Sequence, residues 1–245
     1  MATEARRVVT VERGTEWEDG FARPRVMLQP FAAPSVLGLY GFAAATFMVA
    51  LHLTGVYGGV KTNGELWPFA AVFGGIAQFL AGMWAFRVRD TIATAMHGMW
   101  GAFWMGFGIL FLLNTLHAIT VPTGQFVPFG YWFLVLAVIT GLGAIAALGE
   151  SLGFFAVLSP LAVGSAFVAI GYLTGVGGWL QAGGWVLLAS SWIATYVASA
   201  LMMASTFGRT ILPLGKYRRA ANVPGEKFTR PLEFEFGEPG VKQGQ

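Results

Sequence analysis

The chain has 245 residues, 56% of them hydrophobic and only 11% charged, with a mean hydropathy of +0.63. A soluble domain carries about 25% charged residues; here, between residues 31 and 208, the charges are just Lys61, Glu65, Arg87, Arg89, Asp90 and Glu150, and all others sit in the two ends. This excludes an ordinary globular enzyme, a disordered chain and a nucleic-acid binder, and leaves an apolar block that belongs in a lipid bilayer.

Residues 1–30 contain no long apolar run, so a polar tail is expected there rather than a cleavable signal peptide. Crossing a bilayer takes about 20 apolar residues per helix, and six stretches qualify. The first is 34–57, opening after the turn-forming Gln29-Pro30 and Ala33-Pro34 pairs. The second, 66–86, is bounded by the polar stretch 61–65 and by the charges Arg87, Arg89 and Asp90. The third spans 91–117, and the Pro- and Gly-containing connection 119–128 separates it from the fourth, 129–148. Glu150 marks a turn before the fifth, 153–174, and residues 175–178 break it from the sixth, 179–205. A membrane barrel would show alternating segments of about ten residues instead.

The expected fold is therefore all-α: a polytopic membrane protein with a six-transmembrane-helix bundle over 31–215 and polar tails at 1–30 and 216–245. In the second tail, Leu232, Phe234 and Phe236 alternate with Glu233 and Glu235, the pattern of one short strand. Arg6, Arg7, Arg13, Arg23 and Arg25 precede span one, Arg87 and Arg89 lie between spans two and three, and Arg209, Lys216, Arg218 and Arg219 follow span six. The positive-inside bias then places both termini in the cytoplasm, with the chain in the cell membrane. The 34 glycines suit close helix packing.

Polar residues within the apolar block carry the functional information, because each is costly in lipid unless partnered. Gln78 falls mid-span and must find a partner, as a path-lining group or through an interhelical hydrogen bond. The hydroxyls of Thr46, Thr94, Thr140, Ser165, Thr174 and Thr195 can bond back to their own helices, and Glu150 reads as an interfacial loop acid. His97 and His117, twenty residues apart on one helix, are about 30 Å apart and cannot share a haem iron. His52 and His117 could, which is the pairing a haem-binding redox subunit would use. No mid-helix Lys exists to hold retinal, and no Cys exists for thiolate chemistry. No cofactor, metal site or catalytic constellation is expected.

Three stretches resemble the acetate uptake transporter family, which includes the succinate–acetate permeases. APSVLGLYGF at 33–42 is similar to the family's Asn-Pro-x-Pro-Leu-Gly-Leu-x-Gly-Phe signature, matching at Pro34, Gly38, Leu39, Gly41 and Phe42. FGGIAQ at 73–78, with Gly74 and Gly75, leads through Gly82 to WGAFW at 100–104. FGRTILPLG at 207–215 contributes Gly208, Arg209 and Pro213. The resemblance implies a homohexamer in which each protomer carries its own path for acetate and similar carboxylates. It also implies a hydrophobic constriction at Phe42, Trp100 and Leu161. All three lie three or four positions before the middle of their predicted spans, hence at one depth. Gln78, His97, Thr46 and Tyr40 are the expected path residues.

Ala33, Val36 and Trp100 depart from the family's Asn, Pro and Tyr. His97 stands where an apolar residue is usual, either bonded to a backbone carbonyl or acting as a pH-sensitive element. The expected partners are a small carboxylate such as acetate or succinate, the bilayer and other copies of the chain. An ammonia or ammonium path on the same fold is the alternative, since stacked aromatics can hold a cation.

Overall fold

A computed structural model describes residues 32–215. The two polar tails, the strand pattern at 232–236 and most of the basic residues used for orientation lie outside the described residues.

Six helices are long and apolar enough to cross a membrane: α1 (Pro34–Leu53), α2 (Thr62–Arg87), α3 (Thr91–Thr115), α4 (Val127–Ala147), α5 (Leu152–Thr174) and α6 (Gly177–Phe207). The number and order are as expected, while several ends differ for local reasons. Span one stops at Leu53, because Gly55 turns left-handed at φ 81° and takes the chain out of the helix. Span two begins at Thr62, four residues early, so Glu65 lies within its first turn. Span three ends at Thr115, with His117 beyond it at φ 58°. Span six takes in Gly177 and Gly178, which the sequence suggested as a break, and runs to Phe207. The break is confined to Gly175, at φ 75°, and Val176.

Local chemistry sets the other boundaries. Pro34 opens α1 and Pro128 sits in the first turn of α4, positions where the missing N–H matters least. Asp90 caps α3 by accepting the Ala93 N–H at 2.8 Å, and Ser151 caps α5 through the Phe154 N–H at 3.3 Å. Within α2, Pro68 precedes a π-helical segment, Ala70–Ala77, before α-helix resumes at Gln78. Pro and π turns are two recognised causes of helix distortion. This one brings the Phe73 carbonyl against Gly41 of α1, where a side chain would collide with backbone.

The helices form a closed ring. α1 packs on α2 and α6, α2 on α3, α4 on α5 and α5 on α6, while a sparser seam between α3 and α4 completes the circuit. Large apolar side chains such as Phe73, Trp84, Leu142, Ile145 and Trp192 remain exposed around the outside, as lipid-facing residues do and as soluble surfaces avoid. After α6, Gly208 turns left-handed at φ 66°. The following segment returns to the start of α5, where the Leu152 and Gly153 N–H groups donate to the Gly215 and Leu214 carbonyls at 3.2 and 2.9 Å.

Candidate functional site

The interior of the ring holds two cavities of about 30 Å³ each, room for a couple of waters. The near-face cavity lies toward the end of the bundle where α1 begins. It is lined by Ser35 and Leu39 of α1, Met96 and His97 of α3, Val157 and Leu158 of α5, and the loop carboxyls Asp90 and Glu150. The far-face cavity is lined by Thr46 and Ala50 of α1, Asn63 of α2 and Leu187 of α6. Around them stand the aromatics Trp100, Phe103, Trp104, Phe107, Phe129, Phe133 and Tyr172.

Phe42, Trp100 and Leu161 lie between the two. Each sits one helical turn beyond a near-cavity residue (Leu39, His97, Leu158). Phe42 and Trp100 each stand one turn before a far-cavity residue, Thr46 and Trp104, while Trp100 and Leu161 themselves border that cavity. All three are buried, at 2%, 3% and 2% exposure. The Phe42 and Trp100 rings meet edge to face with centroids 6.3 Å apart. Trp100 donates its indole N–H to the Thr140 hydroxyl of α4 at 2.9 Å.

Buried polar atoms concentrate around the two cavities. Among the described residues, eight buried side-chain atoms have no hydrogen-bond partner in the protein. Six of them belong to cavity-lining residues: Ser35, Asp90 and His97 on the near face, Thr46, Asn63 and Trp104 on the far face. Native proteins leave few such groups, and each calls for an explanation. Gln78 and Ser165 supply the other two atoms. Gln78 is buried, with its backbone beside Gly41 at the level of Phe42, yet it lines neither cavity.

Some expectations need correction. Tyr40, read as a path residue, lines neither cavity; its hydroxyl meets the Ser199 hydroxyl at 2.8 Å and braces α1 against α6. Thr174 and Thr195 do bond to carbonyls of their own helices. Thr46 and Ser165 do not, and Thr140 accepts from another helix. The His97 Nδ1 has no partner, in place of the carbonyl bond considered for the ring.

The glycine-rich signatures serve close packing. Gly74 faces Ala45 and Trp104, Gly75 faces Met105, and Gly38 faces the His97 ring. Arg209 is exposed, while the Pro213 carbonyl accepts the Tyr196 hydroxyl at 2.8 Å. A Cβ at Gly38 would fall 2.6 Å from the His97 Cε1 and Nδ1. Gly38→Ala is therefore expected to lower stability by about 1–3 kcal/mol through overpacking. Adding His97→Ala restores most of the loss, read as thermal unfolding in detergent. Simple additivity of the two losses would contradict the contact.

Electrostatics concentrate at the near-face mouth. Burial raises the Asp90 carboxyl, an effect partly offset by its bond from the Ala93 N–H. Burial, reinforced by repulsion from Asp90, pushes Glu150 up from 4.5 to about 7. Sequence spacing gave no signal of this pairing, because the two acids lie sixty residues apart on separate loops.

The sequence pattern of the GPR1/FUN34/yaaH family matches residues 20–214. The chain belongs to the GPR1/FUN34/yaaH family. The succinate-acetate/proton symporter SatP of Escherichia coli (strain K12) is 29% identical over 192 residues, which make up 76% of this chain and 96% of the symporter. Acetate permease A of Emericella nidulans is 26% identical over 217 residues, 83% of this chain and 72% of the permease. Ammonia transport outward protein 2 of Saccharomyces cerevisiae is 28% identical over 175 residues, 69% of this chain and 61% of its own length. Among solved structures, the bacterial acetate channel SatP superposes with a TM-score of 0.70 at 28% identity, covering 76% of this chain and 100% of the channel. The fold is thus shared with a solved bacterial channel.

Proposed function

We propose that this protein carries acetate and related small carboxylates, succinate among them, through a path inside each protomer, as an anion channel or a proton-linked permease. The observation that carries the reading is the pair of cavities edged with unpartnered polar atoms and separated by the buried ring of Phe42, Trp100 and Leu161. Stripping water from a carboxylate is expensive, so a constriction without a charged partner is a barrier. The polar atoms on either side are placed to accept the solute before and after it. Thr46 and His97 edge the two cavities with such atoms, and Gln78 lies buried at the level of Phe42.

The SatP and acetate permease relatives support acetate as cargo. The basic residues at the near-face ends of the helices, Arg87, Arg89 and Arg209, support a cytoplasmic near face and cytoplasmic termini. The protein acts as a homohexamer in the cell membrane, with domains and tails divided as in the sequence reading, and needs neither catalysis nor cofactor. Labelled acetate uptake into proteoliposomes tests the function: flux well above that of empty vesicles is expected, and equal flux sinks the reading.

A second reading, an ammonia path, draws on the aromatic lining of the far-face cavity and on the yeast ammonia relative. Competition separates the two. Propionate, and not ammonium, is expected to suppress labelled acetate flux.

A further inference from the structure

We infer that Thr140 is a positioning residue, a latch that holds the Trp100 indole across the path. This rests on the proposed transport route, and it adds a residue from α4 to a constriction otherwise built from α1, α3 and α5.

Trp has a single polar atom, a donor, and in Trp100 it is committed to the Thr140 oxygen at 2.9 Å. Both partners are buried, at 3% and 0% exposure. Threonines elsewhere in the bundle, such as Thr115, Thr174 and Thr206, spend their hydroxyls on carbonyls one turn back in their own helices. Thr140 instead accepts a bond that crosses the α3–α4 seam, the most sparsely packed junction of the ring.

Two consequences follow from this geometry. A solute at the ring meets only indole carbon, because the N–H is already engaged. For the solute to pass, the indole must swing away from Phe42 and Leu161, and that movement strains or breaks the bond to Thr140. In a low-dielectric interior such a bond is worth more than in water, so it biases the closed state. One turn along, Gly143 of α4 packs against Met96 of α3, fixing the register that brings Thr140 opposite Trp100.

The test is labelled acetate flux in proteoliposomes for Thr140→Val, Thr140→Ala and Thr140→Ser, each alone and with Trp100→Phe, which lacks the N–H. Removing the acceptor is expected to raise acetate flux about three- to tenfold, the factor that one net hydrogen bond represents. It should also admit butyrate. Thr140→Ser keeps the oxygen and stays near the parent. In the Trp100→Phe background, none of the Thr140 changes alters flux further.

A residue that merely supports the fold would lower flux when replaced, so the sign separates the two roles. Unchanged or reduced flux in Thr140→Val and Thr140→Ala overturns the latch, as does a rise that persists with Trp100→Phe. If the parent protein itself moves no acetate, it is the transport reading that fails.

Discussion

Trp100→Ala is expected to raise acetate flux about tenfold and to let propionate and butyrate through at comparable rates, measured as labelled uptake into proteoliposomes. The indole is the largest side chain of the ring; it touches Phe42 edge-on and Phe103 at 5.2 Å between centroids, and borders the far-face cavity beside Leu161. Removing it joins the two cavities. Water can then follow the solute through the narrowest point, and the dehydration barrier falls; tenfold corresponds to about 1.4 kcal/mol. The same truncation costs about 3–5 kcal/mol of stability and leaves the Thr140 hydroxyl without its donor, so intact assembly must be checked by size-exclusion chromatography. Unaltered flux and selectivity in a folded variant would remove the ring from the path.

Glu150→Gln is expected to flatten the pH dependence of flux. With its carboxyl near 7, Glu150 is mostly neutral at pH 6 and mostly ionised at pH 8. Along an anion path, the concentration of a simple carboxylate from an acid of pKa about 4.3 hardly changes over that interval, so the change in flux belongs to the protein. An added negative charge at the near-face mouth opposes an entering anion by about 1 kcal/mol in a water-like dielectric, roughly fivefold in rate. Flux should therefore decline as pH rises through 7, and the Gln variant should hold the high value throughout.

Stability provides an independent check. Because the folded carboxyl sits above its ordinary value of 4.5, the folded state binds the extra proton between about 4.5 and 7. Stability is then greatest at the acidic end of that window, falls as pH rises through it and levels off above 7. Thermal unfolding that shows no such decline in the parent, or the same decline in Glu150→Gln, would contradict the assignment.

Both predictions draw on features that were unequally legible in the sequence. Six spans could be counted because lipid demands long apolar runs, and Pro, Gly and charge punctuate them. Their ends shifted where one residue's backbone geometry decides, as at Gly55 or within the first turns of α2 and α6. A common depth for Phe42, Trp100 and Leu161 is what span midpoints predict, since parallel helices of similar length share a register. Direction around a helix could not be read this way: these helices are apolar on every side, so Tyr40 looked no different from Leu39 until one faced α6 and the other the near-face cavity. Pairings between distant segments were equally hidden. Neither Thr140 under the indole nor Asp90 beside Glu150 leaves any trace in local spacing.

The return of the chain after α6 has a bearing on α5. A helix start leaves four amide hydrogens without partners of their own, and Ser151 answers only one of them. The Leu214 and Gly215 carbonyls answer two more near this end, through Gly153 and Leu152. The last signature stretch is thus a splint, supplied by the far end of the described chain, for the helix that carries Leu161. A protein cut back to Phe207 would keep every membrane crossing and still surrender the fixture that steadies the start of α5.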